Sequence, residues 1–326
     1  MTVATRPRIG FLGVGWIGRL RMRSMLASGA VEPAGVADLD PRLRAEAADG
    51  LAAVETLDEL LELDLDGVVI ATPSALHAEQ AMAALQRGVA VLCQKPLARD
   101  AAEARRVLDC ARNADRLLGV DLSYRHTRAV QALREVRDEL GDVYAVDLVF
   151  HNAYGPDKPW FTDRALSGGG CLIDLGTHMV DLALWLSGAK HATVEAASLR
   201  RQGRPLGPGE VEDFALAQLE LDAGVTARLA CSWFLPAGRD CVIDCTLYGT
   251  EGAASMRNVG GSFYDFEALR FRGTATDVLA EPPDDWGGRA VVAWAKRLAV
   301  DRRFDPAAEE HARLAEVLDS IYGWRG

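Results

Sequence analysis

A lysine stands where its side chain could act on the hydroxyl group of a substrate. Lys95 comes just after the apolar run Val89 to Cys93, and Pro96 stiffens the turn that aims its side chain. Because open parallel sheets bind ligands at the carboxyl ends of their strands, a lysine there can donate a hydrogen bond to a developing oxyanion. The other interpretation is a surface lysine whose stem covers apolar neighbours.

A histidine flanked by carboxylates forms a second candidate group. Asp174, His178 and Asp181 stand at i, i+4 and i+7, so they share one face of a helix that we predict to run from Asp174 to Leu186. The run Gly168 to Gly170 before it is expected to be flexible. Either carboxylate could orient the imidazole and raise its basicity, which makes His178 a candidate general acid or base. A structural histidine is the alternative.

Three glycines near the N-terminus indicate a dinucleotide site. Gly13, Gly15 and Gly18 follow a predicted strand and open a predicted helix, whose N-terminus carries partial positive charge. Asp38 ends the next predicted strand, where a carboxylate can accept hydrogen bonds from ribose hydroxyls. That carboxylate would repel a 2′-phosphate, so the sequence predicts NAD rather than NADP. Arg42 lies near enough to weaken the preference.

The pattern of apolar residues predicts two domains. Residues 1–123 alternate short apolar runs with helical patterns, which is typical of a doubly wound Rossmann sheet, here with five predicted strands. Residues 124–326 carry strands such as Val143 to His151. Turn residues join the later strands, which predicts that these strands pair antiparallel. The predicted fold class is α/β: a Rossmann domain, then an α+β domain with a large, mostly antiparallel open sheet.

Composition limits the partners. The 326 residues carry a formal charge of 36 − 47 = −11, which disfavours nucleic acid. No apolar run reaches the ~18 residues of a membrane span. The six cysteines include no C-x-x-C pair, so we expect reduced thiols, a cytoplasmic location and no metal site.

These motifs resemble those of the Gfo/Idh/MocA oxidoreductases, the family of glucose–fructose oxidoreductase and inositol dehydrogenase. The resemblance covers nearly the whole chain, and its specific part is an ordered set of residues: Thr72-Pro73 with His77, Lys95-Pro96, and the glycine run leading to Asp174 and His178. It implies hydride transfer at a secondary alcohol or ketone of a sugar or cyclitol. It also implies an open C-terminal sheet that mediates oligomer contacts.

Carried over residue by residue, Lys95 matches the lysine of the family's E-K-P motif. Asp174 and His178 match the aspartate and histidine that face it across the nicotinamide. Two positions depart from the family: Gln94 replaces the glutamate before the lysine, and Ser74 replaces a common asparagine. We hypothesise that loss of the carboxylate at position 94 makes Lys95 easier to deprotonate.

The predicted site therefore has three sets of residues. The catalytic residues are Lys95, His178 and Asp174, and the sequence leaves open whether Lys95 or His178 accepts the proton. The cofactor-binding residues are Gly13, Gly15, Trp16, Ile17, Gly18, Asp38, Thr72, Pro73, His77 and Lys95. The substrate-binding residues are Lys95, Asn152, Trp160, Asp174 and His178, with packing as the alternative for Asn152 and Trp160.

The expected activity is NAD(P)-dependent dehydrogenation of a secondary alcohol in a sugar, amino sugar or cyclitol, by a homodimer or homotetramer that associates through the C-terminal sheet. One alternative is a reductase of nucleotide-linked keto-sugars. The other is a non-catalytic NAD-binding sensor, which would need only the cofactor half of the chain. The sequence does not indicate which sugar or which carbon is used.

Overall fold

The protein is described by a computed structural model that covers residues 6–324. These residues form two compact units. The first contains residues 6–123 together with Gly287–Ala312, and the second contains Tyr124–Trp286 together with residues 313–324. Within residues 6–324, no helix has both the length and the apolar character needed to cross a membrane.

The first unit is built on a parallel sheet of six strands in the order β3-β2-β1-β4-β5-β6, which is the Rossmann order. We predict only five strands, and the one missed is β3, because its three residues are partly exposed and include no long apolar run. The elements are β1 (Arg8–Leu12), α1 (Trp16–Ala27), β2 (Glu32–Ala37), α2 (Pro41–Ala48), β3 (Ala52–Val54), α3 (Leu57–Leu61), β4 (Gly67–Ile70), α4 (Ser74–Gln86), β5 (Ala90–Cys93), α5 (Ala101–Ala114) and β6 (Leu118–Val120).

The second unit is built on a nine-stranded sheet in the order β15-β14-β13-β12-β7-β11-β10-β8-β9. Its neighbouring strands are antiparallel except β7 and β11, which are parallel. The elements are α6 (Arg128–Val136), β7 (Val143–Asn152), α7 (Arg164–Ser167), α8 (Thr177–Ser187), β8 (Ala192–Arg201), β9 (Arg204–Pro205), β10 (Phe214–Leu221), β11 (Val225–Ser232), β12 (Cys241–Gly249), β13 (Ala253–Asn258), β14 (Phe266–Arg272) and β15 (Ala275–Ala280).

The prediction that all residues after 123 belong to the second domain needs a correction. Helix α9 (Arg289–Val300) belongs to the first unit, and helix α10 (Glu309–Gly323) is divided between the two. Helix α9 packs on the parallel sheet through Trp294. A Cβ at Gly67 of β4 or at Gly119 of β6 would lie 2.7 Å from the indole of this residue. These glycines leave room for the indole, so α9 packs on the parallel sheet as part of its core.

Strand alternation separates the two faces of the nine-stranded sheet. In β7, Val146, Leu148 and Phe150 are buried, and α8 packs against β7 and β11. The alternate residues of β7 are only half-buried. Because β7 and β11 are parallel, Asn152 and Ser232, their last residues, lie at the same edge of the sheet.

Candidate active site

Each of the three glycines of the first loop has a different steric environment. Gly13 has φ +79°, and a Cβ there would lie 2.7 Å from the backbone of Ala71. A Cβ at Gly18 would strike the carbonyl oxygen of Gly13, so close packing of α1 on the loop requires a glycine. A Cβ at Gly15 would meet no protein atom within 4 Å. The loop is therefore tight on its protein side and open beside Gly15, which fits a pyrophosphate.

The first turn of α1 is suited to the same anion. Gly15 is its N-cap and makes no side-chain capping bond, and the first helical bond runs from the Arg19 N–H to the Gly15 carbonyl at 2.9 Å. The N–H groups of Trp16, Ile17 and Gly18 therefore precede the helical ladder, where a phosphate can accept them. The Trp16 side chain is 68% exposed. These residues fit the cofactor-binding role predicted for them.

Asp38 follows β2 and ties the loop to the sheet. Its Oδ2 accepts the Val14 N–H at 2.8 Å and its Oδ1 accepts the Asp40 N–H at 2.9 Å. A carboxylate has about four acceptor positions, so both oxygens can still accept a hydroxyl. The predicted contact with ribose hydroxyls is therefore compatible with the structure.

His77, one of the predicted cofactor-binding residues, lies between two loops of the first unit. It is buried in α4, with Nε2 2.8 Å from the Thr72 carbonyl oxygen and Nδ1 2.7 Å from the Pro96 carbonyl oxygen. Burial lowers the pKa of His77, whereas the two carbonyls raise it. Both ring nitrogens are engaged by backbone, so His77 joins the loop after β4 to the loop after β5. Thr72 and Pro73 remain in the first of these loops, before α4.

Lys95 lies in the loop after β5, in the first unit, as predicted. The loop is held at two points: the Gln94 N–H donates to the Ile70 carbonyl at 2.8 Å, and the Lys95 N–H donates to the Gln94 side-chain oxygen at 3.1 Å. The Lys95 side chain is half-buried. The backbone beneath this amine is thus fixed by its neighbours.

Asp174 and His178 lie in the second unit, on two consecutive helical segments. Residues Leu172–Gly176 form a π-helical turn, and α8 begins only at Thr177. The prediction of one regular helix from Asp174 to Leu186 is therefore wrong in its first turn. A π-turn inserts an extra residue into the helical repeat, and such turns are frequent at functional sites.

Asp174 is held by an aromatic chain that includes the predicted substrate residue Trp160. The Trp233 indole N–H donates to Asp174 Oδ2 at 3.2 Å. Phe161 packs edge-on against Trp233, and Trp160 stacks on Phe161 with ring centroids 3.8 Å apart. Aromatic rings of this kind offer an apolar surface to the faces of a sugar ring.

His178 lies against the buried ring of Tyr124, with centroids 4.7 Å apart. Burial is the main cause of a raised pKa of the Tyr124 hydroxyl, and the nearby carboxylate of Asp174 adds to it. The Arg125 Nε–H is shared between the two Asp181 oxygens, at 2.9 and 3.1 Å, and Arg125 Nη2 donates to Oδ1, so this carboxylate is neutralised by a buried ion pair. Of the two carboxylates predicted to flank His178, Asp181 is thus paired with an arginine, and Asp174 accepts from Trp233.

Asn152 ends β7, and its Oδ1 is buried without a hydrogen-bond partner among residues 6–324. A buried acceptor left unpaired costs ~1–3 kcal/mol, so a ligand hydroxyl or amine there would gain from pairing it. The neighbouring His151 instead contacts Ser232 Oγ at 2.7 Å. In the described part of the chain, no three histidine, cysteine or carboxylate side chains are placed to hold a metal ion.

The glycine run is not a flexible segment. Glu212 is fully buried, and its Oε1 accepts the N–H groups of Gly170 and Leu172 and the hydroxyl of Tyr322, at 2.9, 3.0 and 2.7 Å. A Cβ at Gly169 would strike the Tyr322 hydroxyl, and one at Gly170 would strike the Glu212 carbonyl. The glycines are therefore required by close packing, which fixes the start of the π-turn that carries Asp174.

The sequence pattern does not identify several of these residues as parts of the site. Trp233, Phe161 and Tyr124 are ordinary core aromatics by local pattern, and Glu212 has no neighbour in sequence that identifies its partner. The one available signal was a charged residue, Glu212, directly after the apolar Val211 and before a predicted strand. A buried carboxylate that binds several backbone N–H groups is recognised only once the fold is known.

Glu212 should make the stability of the protein depend on pH. Burial raises its pKa, and the hydrogen bonds from Tyr322, Leu172 and Gly170 oppose the rise. The folded state then holds a proton that the unfolded state releases above about pH 4.3, so stability falls, by up to ~1.4 kcal/mol per pH unit, as pH rises from there to the folded pKa. We predict that Glu212→Gln, which mimics the protonated acid, removes this decline, as measured by chemical denaturation at a series of pH values above about 4.3.

The matched control is Glu195→Gln, at an exposed position of β8, which should keep the wild-type pH dependence. Equal slopes for wild type and Glu212→Gln would contradict a proton on Glu212 in the folded state.

Comparison with known proteins identifies the family. Residues 7–122 match the profile described as the GFO/IDH/MocA oxidoreductase family with an NAD-binding Rossmann fold, and residues 128–255 match the GFO/IDH/MocA C-terminal domain. The chain is 32% identical to a putative UDP-kanosamine synthase oxidoreductase subunit of Amycolatopsis mediterranei, over 77% of this chain and 75% of that protein. It is 30% identical to the rhizopine catabolism protein MocA of Rhizobium meliloti, over 78% and 79%.

A solved structure shows the same fold over the whole chain. The structure of GenD2 from gentamicin A biosynthesis, in complex with NAD, superposes with a TM-score of 0.80 at 27% identity, covering 98% of this chain and 93% of that one. Other curated relatives are sugar and cyclitol dehydrogenases and a deoxysugar reductase. The protein is an oxidoreductase with an NAD(P)-binding Rossmann domain, and it belongs to the Gfo/Idh/MocA family.

Proposed function

We propose that this enzyme reversibly oxidises a secondary alcohol of a sugar, amino sugar or cyclitol, with NAD as the cofactor. The observation that carries the proposal is how Asp174 and His178 are held in the second unit. Trp233 donates to Asp174, and Tyr124 packs against His178. The aromatic residues that continue from Trp233 are only partly buried. Binding of a sugar needs such an aromatic surface together with polar groups that fix its hydroxyls.

The cofactor proposal is supported by the first loop. Gly13, Gly15 and Gly18 with the first turn of α1 would hold the pyrophosphate, and Asp38 would accept the adenosine ribose hydroxyls. When bound, the nicotinamide accepts a hydride from the substrate carbon or returns it. Arg42, whose side chain is largely exposed, is the nearest candidate to accommodate a 2′-phosphate instead.

The chemistry of the protein's own groups is proton transfer and charge stabilisation. We propose that His178 accepts the proton of the substrate hydroxyl and that Lys95 donates a hydrogen bond to the oxyanion that develops. Asp174 would orient the reacting hydroxyl, and the acceptor at Asn152 and the ring of Trp160 would position the rest of the substrate. Each step uses a group whose backbone or ring is held by neighbours, which is the requirement for electrostatic preorganisation.

A second candidate is reduction of nucleotide-linked keto-sugars, which is supported by the names of two relatives. One is the UDP-kanosamine synthase subunit and the other is a dTDP-dideoxy-didehydroglucose 3-reductase of Streptomyces violaceoruber. Nicotinamide absorbance with inositols, aldoses, amino sugars and nucleotide sugars separates the two candidates. No turnover with any of them, together with cofactor binding, would indicate the NAD-binding sensor.

Loss of the proposed catalytic groups should abolish turnover without loss of cofactor. We predict that Lys95→Ala and His178→Ala each lower kcat by at least ~100-fold, as expected for loss of acid–base or oxyanion stabilisation. The dissociation constant of NADH, measured by fluorescence titration, should change by less than about threefold. The exposed Lys296→Ala and His191→Ala serve as controls. Wild-type turnover in both catalytic variants would overturn the residue assignment.

The NAD preference depends on the charge of Asp38. Asp38→Asn keeps an oxygen for the Val14 N–H but removes the charge that repels a 2′-phosphate. We predict that the ratio of the NADPH to the NADH dissociation constant falls by at least about tenfold, which corresponds to ~1.4 kcal/mol. The exposed Asp58→Asn is the control. An unchanged ratio would contradict the proposed role of Asp38.

We also propose that two or four copies associate through the open face of the nine-stranded sheet. Leu216, Ala230 and Val149 form a cross-strand row on that face, and Leu216 is 46% exposed. Leu216→Arg should reduce the mass in sedimentation to that of the 35.1 kDa chain, whereas Val300→Arg on α9 should not. A wild-type monomer would exclude this assembly.

The absence of nucleic acid from the proposed partners is supported by the charge of −11. A cytoplasmic location is supported by the six cysteines, all of which are free thiols.

A further inference from the structure

A buried hydrogen-bonded network lies behind the Lys95 loop, within the first unit. Arg21 of α1 donates from Nε to Asp121 Oδ2 at 2.5 Å, and Gln94 donates from Nε2 to the same oxygen at 2.6 Å. Arg21 also contacts Ser123 Oγ at 3.4 Å and the carbonyl of Gly287. The side chains of Arg21 and Asp121 are 6% and 1% exposed. None of these contacts was predicted from the sequence.

The network is balanced in charge. It contains one buried cation, Arg21, and one buried anion, Asp121, and Gln94 is neutral. A buried charge is tolerated when it is paired and hydrogen-bonded, whereas one left alone is strongly destabilising. Asp121 Oδ1 is buried and accepts no hydrogen bond from residues 6–324, so Oδ2 carries both contacts.

Gln94 connects this network to Lys95. Its amide nitrogen donates to Asp121, and its amide oxygen accepts the Lys95 N–H at 3.1 Å. An amide can donate at one end and accept at the other, whereas an ionised carboxylate only accepts. The glutamate of the E-K-P motif at this position would place two carboxylates at hydrogen-bond distance, where they cannot both be ionised.

We propose that Arg21 and Asp121 are positioning residues for Lys95, because they hold the Gln94 side chain that accepts the Lys95 backbone N–H. The catalytic importance of this positioning rests on the proposed function of Lys95. The buried carboxylate of the network stands at position 121, where the amide of Gln94 can donate to it, whereas an ionised glutamate at position 94 could not.

The charged groups hydrogen-bonded in this network are Arg21 from α1 and Asp121 after β6, and Lys95 joins it through its backbone N–H. The buried thiol of Cys93 precedes Gln94, and burial raises its pKa, so it stays neutral. His77 from α4 contacts the Pro96 carbonyl of the same loop.

The test compares wild type with Gln94→Glu, Asp121→Asn and the double variant, in the full-length chain. The double variant keeps one buried anion for Arg21, with the carboxylate moved from position 121 to position 94. We expect each single variant to lower Tm by about 3 °C or more, roughly the effect of ~1 kcal/mol in a domain of this size. The double variant should recover at least half of the summed loss.

Competitive labelling of Lys95 with acetic anhydride at one fixed pH, read by peptide mass spectrometry, reports the reactivity of its amine without substrate or turnover. We expect the labelling of Lys95, relative to exposed lysines, to rise at least about twofold in Asp121→Asn, because the loop is no longer held through Gln94, and to return towards the wild-type level in the double variant. The exposed Gln86→Glu, on α4, should change neither readout. Additive losses of Tm, or equal labelling of Lys95 in all four proteins, would overturn the proposal.

A separate comparison keeps the proposal testable if Asp121→Asn does not fold. In Gln94→Glu alone, the new carboxylate at position 94 and that of Asp121 must share a proton. Loss of this proton at higher pH leaves two adjacent negative charges, which repel each other. The Tm deficit relative to wild type should therefore be larger at pH 8 than at pH 5, and equal deficits would overturn the proposal. Because neither readout uses turnover, failure here is distinguishable from wild-type activity in Lys95→Ala, which would contradict the proposed function instead.

Discussion

A backbone N–H or carbonyl buried in a loop without a hydrogen bond costs ~1–3 kcal/mol, and this cost governs how the candidate site is held. The loops that follow the strands cannot satisfy their backbone groups with a ladder, so side chains do it. Asp38 accepts the N–H of Val14, Gln94 accepts that of Lys95, and Glu212 accepts two in the glycine run. His77 contacts the carbonyls of two loops at once. The positions of the proposed reacting groups follow from these few polar side chains.

The same principle explains why the predicted site residues are held differently in the two units. In the first unit, the site is a set of loops after parallel strands, and the open space beside Gly15 and the free end of α1 favour an anion. In the second unit, the reacting groups lie on a π-turn and the helix that follows it. The turn is fixed from one side by Glu212, and Asp174 is fixed by Trp233. Irregular backbone is stable there because these side chains pair with its polar groups.

The sequence predicted those parts of the molecule that depend on local pattern. The glycine loop, Asp38, the strand before Lys95 and the positions of Asp174 and His178 each have a spacing or period that reveals them. The short strand β3, the π-turn and the return of α9 to the first unit could not be predicted, because they depend on packing between distant segments. Arg21 and Asp121 are 100 residues apart, so no periodicity links them. His77 shows the intermediate case: its importance was visible, but its contacts with backbone were not.

In the proposed reaction, hydride moves directly between the carbinol carbon of a sugar or cyclitol and the nicotinamide. The most direct measurement uses the wild-type enzyme, NAD, and the substrate that supports turnover, deuterated at the carbon that is oxidised. We predict that the reduced cofactor gains the deuterium, seen as an increase of about one mass unit, and that turnover slows through a primary isotope effect. Reduced cofactor without deuterium, or product formed with no reduced cofactor, would contradict it.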